Sequence, residues 1–302
     1  MKDNPDAILV LGAGELGLSM LRSLTKHPPP NSVVKVLLRP SNKPSHRELL
    51  SELQSLYIDP VYGDTSNDSI DTLSELFRGY TTIVSCVGFA AGSGTQLKLA
   101  RAVLAAGVTR YIPWQFGVDY DIIGRGSPQN LFDEQLDVRD LLRSQTSTMW
   151  KIVSTGMFTS FLFEPSFGVV DIPSGICRAL GSWESEVSLT TPQDIGRLTA
   201  QIIAKTWEGS GIVYTAGDTV SYKTVAEAVE KLLGRKMDRQ LWTVDDLVQK
   251  LKEDPADNMK KYRAVFAMGR GVAWPIEGTY NYQKNIVVES MGDWLKGNIA
   301  GH

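Results

Sequence analysis

Three glycines in the run Gly12-Ala13-Gly14-Glu15-Leu16-Gly17 have the spacing G-x-G-x-x-G. The spacing alone is a weak signal, and its surroundings give it chemical meaning. It follows directly on the apolar run Ala7–Leu11 and opens a segment in which Leu16, Met20, Leu21 and Leu24 recur at helical spacing. A strand, a glycine turn and a helix start, in that order, offer a phosphate free N–H groups and the positive end of a helix dipole. Gly12 suits the tight turn, Gly14 lets the backbone approach a pyrophosphate, and Gly17 lets helix and strand pack closely. Gly12, Gly14, Glu15, Leu16 and Gly17 are therefore expected to hold a dinucleotide. The competing reading is a glycine turn with no ligand.

The end of the second strand selects between cofactors. An acid there accepts the ribose hydroxyls of NAD. This chain instead reads Leu38-Arg39-Pro40-Ser41-Asn42-Lys43. A guanidinium pairs with a 2′-phosphate that a carboxylate would repel. Arg39, with Lys43 as a second cation, thus points to NADP(H), against the alternative of a solvated surface arginine. Further along, Asp119-Tyr120-Asp121 follows the fifth apolar run, in a loop at the edge where function concentrates. Tyr120 can donate a proton, and Asp119 or Asp133 can accept one. The plainer reading of such aspartates is local turn hydrogen bonding. Tyr280 and Lys284 have Tyr-x-x-x-Lys spacing, but they lie far beyond the alternating region and read as coincidence. The Phe- and Met-rich stretch Thr155–Phe163 suits either an apolar pocket or a lobe core. Asp245-Asp246 and Lys260-Lys261-Tyr262-Arg263 read as solvated helix faces.

Positioning these groups requires a regular scaffold. Short unbroken apolar runs recur at Ala7–Leu11, Val33–Leu38, Pro60–Tyr62, Thr82–Val87, Thr109–Ile112 and Ile152–Ser154. Helical patterns separate them, at Arg47–Leu56, Ser69–Phe77, Gln96–Ala106 and from Ser127-Pro128 to Ser144. Six alternations predict an α/β Rossmann-type, doubly wound parallel sheet with right-handed crossovers. Residues 1–155 are expected to form this domain. Residues 156–302 are expected to form a smaller α+β substrate lobe, with some segments returning to the first domain. In that half Thr191-Pro192-Gln193-Asp194 opens a helix to about Trp207. Ile212–Thr215 reads as a returning strand, and helices follow at Thr224–Leu233, Val244–Leu251 and Pro255–Phe266.

Composition narrows the partners. The 302 residues carry 31 Lys+Arg and 34 Asp+Glu, a net charge of −3, which argues against a nucleic-acid reader in general but leaves room for a local basic patch. Two cysteines, Cys86 and Cys177, build no disulfide framework and suit a reducing compartment. Three scattered histidines and two cysteines give no zinc spacing, so no metal is expected. No apolar run is long enough to span a bilayer, and no apolar segment of signal-peptide type precedes the first strand. The expectation is a cytoplasmic protein, monomeric or homodimeric, without nucleic-acid or membrane partners.

Several segments together carry a family resemblance. They are the glycine loop, Arg39, Tyr62-Gly63-Asp64 and Ile83-Val84-Ser85-Cys86-Val87-Gly88. The most specific is Ala105-Ala106-Gly107-Val108-Thr109-Arg110-Tyr111-Ile112-Pro113 through Phe116-Gly117, with Thr191–Gly196 further on. The chain resembles the NmrA-like and isoflavone-reductase-like family of atypical short-chain dehydrogenases, fungal-type members above all, over nearly its whole length. The resemblance implies an NADP(H)-binding Rossmann domain with a lobe covering an aromatic or conjugated small molecule, often in secondary metabolism. It also implies that Gly88 and Phe89 lie along the cofactor, and that Gly156, Met157 and Phe158 approach the nicotinamide.

Two departures from the family pattern matter. Family reductases carry a lysine three residues before a Val-Arg pair, where this chain has Gln135 ahead of Val138-Arg139. Glutamine orients by hydrogen bonds but cannot act as a comparable acid or base. Gln135 shares a helical face with Leu131, Val138 and Leu142. It is either an active-site hydrogen-bonder or a polar residue at the domain seam. The family's Ser-Glu before Phe-Gly is here Trp114-Gln115. Trp114 can wall an aromatic substrate or simply pack in the core. Gln135, Tyr120 and Trp114 are the catalytic candidates. Three functions remain open. One is an NADPH-dependent reductase of an aromatic or polyketide- or alkaloid-like molecule. The second is a redox-neutral isomerase or cyclase that retains the cofactor. The third is a non-catalytic NADP(H) sensor that binds a partner protein.

Overall fold

In the computed structural model, which describes residues 6–126, 128–205 and 207–299, strand and helix alternate from the start. The order is β1 (Asp6–Leu11), α1 (Glu15–Lys26), β2 (Ser32–Leu38), α2 (Pro44–Ser55), β3 (Asp59–Tyr62), α3 (Ile70–Phe77), β4 (Thr82–Ser85), α4 (Thr95–Ala105) and β5 (Arg110–Ile112). Then come α5 (Tyr120–Ile123), α6 (Asp133–Arg143), β6 (Met149–Ser154), β7 (Met157–Phe158), β8 (Val170–Asp171), β9 (Ile176–Leu180), β10 (Glu186–Thr190), α7 (Pro192–Ala204) and β11 (Gly211–Tyr214). The chain ends with β12 (Asp218–Ser221), α8 (Tyr222–Leu233), β13 (Asp238–Trp242), α9 (Val244–Glu253), α10 (Asn258–Ala267), α11 (Tyr280–Gln283) and α12 (Met291–Asn298).

Seven strands form one sheet in the order β11-β6-β5-β4-β1-β2-β3. The strands from β6 to β3 pair parallel, with Ile8 to Leu11 of β1 held between Val34 to Leu37 of β2 and Thr82 to Ser85 of β4. Ile8, Leu9, Val10 and Leu11 are each 0 % exposed. Because helices cover both faces, β1 is apolar at consecutive positions and shows no alternation. One face packs Leu9, Leu11, Ile83 and Tyr111 against Leu99, Val103 and Leu142. The strand order reverses between β1 and β4, so the carboxyl ends of these two strands flank the crevice where such sheets bind ligands. This is the Rossmann-type sheet expected from the sequence.

The chain folds as two compact units. One holds the chain up to Gln115 with Asp137–Val153 and Ile195–Val213, and the other holds Phe116–Leu136, Ser154–Asp194 and the chain from Tyr214 onward. Segment 116–136 lies in the second unit, and 195–213 returns to the first. Gly196 shows why α7 belongs to the first unit: a Cβ there would stand 2.4 Å from Ser19 Oγ, so only glycine lets α7 lie directly on α1.

Two other expectations change, and one feature is new. The helix expected from Pro128 begins instead at Asp133, where the carboxylate closes a turn by accepting the Gly126 N–H at 2.9 Å. Ser127, expected as its cap, lies outside the described residues. The Asp119–Asp121 loop is a helical turn, α5, capped by Asp119. The second unit carries two small sheets not foreseen, β12-β10-β7 and β13-β9-β8. Their strands have two to five residues and pair across long separations, such as Asp238 with Ile176. Local periodicity is too brief to reveal them.

In the second unit Glu230 is a stability determinant. It accepts from Arg239 Nε and Nη2 and from Lys236 Nζ at 2.9–3.0 Å. The Arg239 hydrogen bonds, then that of Lys236, pull its carboxyl down to about 2 from an ordinary 4.5. A depressed carboxyl stabilises the fold above its unfolded value and loses that contribution as the pH falls. Glu230→Gln is therefore expected to lower the melting temperature at neutral pH. The gap to wild type should close as pH drops from 4.5 towards about 2, as measured by melting across that range.

Both cysteines are free. Burial pushes the Cys86 thiol up to about 12, and burial with the nearby Glu230 charge pushes Cys177 to about 11. Neither is a thiolate nucleophile at neutral pH. Among the described residues no helix is long and apolar enough to cross a membrane, and no cluster of metal-ligating side chains occurs.

Candidate functional site

The first unit presents the crevice over β1 and β4. Gly12 has φ +86°, which only glycine adopts without strain, and its N–H continues the sheet by bonding Leu37 O at 3.0 Å. A Cβ on Gly17 would stand 2.2 Å from Gly12 O, whereas one on Gly14 would meet no atom within 4 Å. The loop is thus closed on its protein side and open on the other. Gly14 is the N-cap of α1 and supplies no side-chain cap, so the first-turn N–H groups are left for a ligand. Opposite, Cys86 N–H bonds Leu11 O at 2.9 Å and Gln96 Nε2 bonds Val87 O at 2.7 Å, which fixes the loop after β4. Gly88 leaves room for Trp114, whose Cζ2 is 3.1 Å from where a Cβ would sit. Phe89 meets the Trp114 ring edge-on at 4.6 Å. Trp114 therefore braces the loop expected to lie along the cofactor.

Arg39 stands at the end of β2, with its side chain 59 % exposed. Its Nε is 3.3 Å from Asp64 Oδ2, and its Nη2 donates to Ser66 Oγ at 3.0 Å. Lys43 is exposed at the N-cap of α2. An open glycine loop before uncapped N–H groups, and a guanidinium where NAD-type sites need an acid, fit NADP(H). Gln115 and Arg139 escaped the sequence reading as a pair. Both are 0 % exposed, and Arg139 Nε donates to Gln115 Oε1 at 2.8 Å. The amide that replaces the family's glutamate thus still serves a buried arginine.

The second unit presents a different surface. Gly117 O accepts the N–H groups of Thr155 and Gly156 at 2.9 and 3.0 Å, tying the loops after β5 and β6 together. Asp119, 3 % exposed, accepts Tyr214 Oη at 2.5 Å and the Asp121 N–H at 3.1 Å. It organises the turn, and Asp133 likewise closes one. Tyr120 is 2 % exposed, with its ring 4.9 Å from Phe132 and its hydroxyl against Gly117. From Phe132 a row of rings continues to Tyr262 at 5.8 Å, and Tyr262 is 5.5 Å from Phe161.

The expectation of a solvated face at Lys260–Arg263 is therefore corrected. Tyr262 lies in the aromatic row, and Arg263 Nε donates to Phe167 O at 2.9 Å. The available signal was the four-residue spacing of Tyr262 and Phe266, which places both on one side of α10. Met157 is 3 % exposed in β7 and Phe158, pointing the other way, is half-buried. Phe161 and Phe163 pack within this unit, on Phe167 and Trp294. Gln135 is 0 % exposed, on the inward face of α6 with Val138, Arg139 and Leu142. Tyr280 opens the short helix α11 of the second unit, outside the alternating strand–helix run, which leaves Tyr280–Lys284 outside the dehydrogenase context.

The Rossmann sheet, the open glycine loop and Arg39 fit a dinucleotide-binding protein of the NADP(H) type, and its relatives make it an oxidoreductase. Within that class the chain belongs to the NmrA-like family, whose sequence model matches residues 4–277. It is 46 % identical over 301 residues to an NmrA-like family domain-containing oxidoreductase of Gibberella moniliformis, covering 96 % of this chain and 97 % of that protein. The fold is that of a solved isoflavone reductase (TM-score 0.80, 18 % identity, 98 % of this chain and 100 % of that one). It is also that of a leucoanthocyanidin reductase–NADPH complex from Vitis vinifera (TM-score 0.79, 19 % identity, 98 % and 100 %).

Proposed function

We propose that the protein is an NADPH-dependent reductase of an aromatic or polyketide- or alkaloid-like small molecule. The observation that supports the substrate class is the row of packed rings Tyr120, Phe132, Tyr262 and Phe161 in the second unit, an aromatic cluster of the kind that borders sites for flat conjugated ligands. The structural neighbours, an isoflavone reductase and a leucoanthocyanidin reductase, support the same class. Bound NADPH supplies a hydride, and the protein has only to bind, orient and polarise. In this reading the glycine loop holds the diphosphate and Arg39 with Lys43 reads the 2′-phosphate. Gly88 and Phe89 border the cofactor, and Trp114 braces Phe89. Gln135 orients by hydrogen bonding, since its amide has no proton to give as an acid. Tyr120, nearly excluded from water, supplies the proton.

The reading is tested by following NADPH oxidation and product formation with a panel of conjugated ketones, imines and benzylic ethers of aromatic type. Stoichiometric NADPH consumption supports it. Product formed equally well with NADP⁺ would make the enzyme redox-neutral. NADPH binding without turnover across the panel, joined to a cofactor-dependent protein partner, would make it a sensor. Tyr120→Phe keeps the ring and removes the phenol. It is expected to leave NADPH affinity unchanged and to cut kcat about 100-fold, the usual scale of general acid catalysis, with melting curves as the folding control.

A further inference from the structure

Arg39 is not a free surface cation. Its Nε faces Asp64 Oδ2 at 3.3 Å while its Nη2 donates to Ser66 Oγ at 3.0 Å. Ser66 Oγ in turn donates to Ala91 O at 3.4 Å, so its lone pairs are left for the guanidinium. Ala91 follows Gly88 and Phe89 in the loop after β4. The 64–68 turn that presents both partners is itself held firmly. Asp64 accepts the N–H groups of Ser66 and Asn67 at 2.9 and 3.2 Å and Asn67 Nδ2 at 2.9 Å. The Asp64 N–H bonds Asp68 Oδ2 at 2.7 Å, and Lys98 Nζ, from α4, bonds Ser66 O and Asp68 O at 2.7 and 3.1 Å. A long, mostly exposed side chain is thereby fixed through two of its nitrogens by a braced turn, leaving Nη1 and the outer edge of the fork for a ligand.

We propose that Asp64 and Ser66 are positioning residues for cofactor selectivity: they hold the Arg39 guanidinium in one orientation for the 2′-phosphate of NADP(H). The inference rests on Arg39 meeting that phosphate. Two effects of Asp64 oppose one another. Its negative charge near a phosphate repels, and its grip on Arg39 removes the ordering that binding would otherwise require. The carboxylate accepts three N–H groups of its own turn besides facing Arg39 Nε, which stabilises its charge in place and softens the repulsion. Arginine, by contrast, has much rotamer freedom to lose on binding. Ordering therefore outweighs repulsion, and removing the carboxylate weakens NADPH binding although it removes a like charge.

The test measures dissociation constants for NADPH, NADH and adenosine 2′,5′-bisphosphate with the full chain and with Asp64→Asn, Ser66→Ala, Arg39→Ala and Arg39→Ala/Asp64→Asn. Melting curves serve as the folding control. Asp64→Asn and Ser66→Ala are expected to weaken NADPH and the bisphosphate about fivefold, as expected when one such side chain must be ordered on binding. NADH should be unmoved, and Asp64→Asn should have no effect once Arg39 is absent. Ser66→Ala carries no change of charge and tests the positioning role even if Asp64→Asn folds poorly. Tighter or unchanged NADPH binding in both variants, or equal losses for NADPH and NADH, would overturn the proposal while an effect of Arg39→Ala keeps the 2′-phosphate reading. If Arg39→Ala itself leaves NADPH binding unchanged, that reading falls and the proposal with it.

Discussion

Gly17→Ala is expected to cost at least 100-fold in NADPH affinity and to lower the melting temperature. Alanine is the better helix former by about 1 kcal/mol, which taken alone predicts stabilisation of α1. The added Cβ, however, would stand 2.2 Å from Gly12 O. Contact at an ordinary distance requires the strand–turn–helix junction to open by about 1 Å, and overpacking of this kind costs about 1–3 kcal/mol. The backbone cannot yield elsewhere, because Gly12 is fixed to Leu37 O and sits at φ +86°. The steric term therefore wins. Gly14→Ala is the control. Its Cβ meets nothing within 4 Å and its φ of −74° suits any residue, so the variant should melt like wild type. It should still lose cofactor, because the methyl group occupies the space left for the pyrophosphate. Calorimetric titration with NADPH beside thermal melts separates the two. Gly14→Ala binding NADPH normally would refute the assignment of the loop.

Arg39→Ala is expected to raise the dissociation constant for NADPH about 10- to 100-fold and to leave NADH within twofold. A hydrogen bond to a charged group contributes about 1.5–3 kcal/mol, and a fork-shaped donor on a phosphate lies in that range. The arginine is 59 % exposed, so screening by salt should reduce the effect, and the ratio should shrink as ionic strength rises. Lys43, exposed and at the start of α2, should contribute less than Arg39. Equal losses for both cofactors, measured by fluorescence titration, would show that Arg39 supports the loop and does not read the phosphate.

The cofactor half was legible in the sequence because its determinants are local. The turn at Gly12–Gly17, the buried strand before it and the residue at the end of β2 lie within about thirty positions, and backbone sterics decide what they can do. The helix starts at Ser69 and Thr191 were likewise readable, because a cap acts on its own next turn. The second unit was less legible. Tyr262 looked solvated among lysines and an arginine, yet its ring lies between Phe132 and Phe161, from segments more than a hundred residues upstream. The strands β7 to β10 are too short to show a period.

What the sequence by itself determined is the class of fold and the backbone geometry of the glycine loop, since glycine geometry, strand burial and helix capping are short-range properties. It also showed that glutamine stands where the family carries lysine. Only the tertiary structure decided what surrounds these residues. It paired Arg139 with Gln115, set Asp119 to hold a turn together with Tyr214, and gave Arg39 its two partners from the 64–68 turn. It also interleaved the two units along the chain. Each of these depends on side chains brought together by packing, and packing energies act between residues distant in sequence, where no local pattern records them.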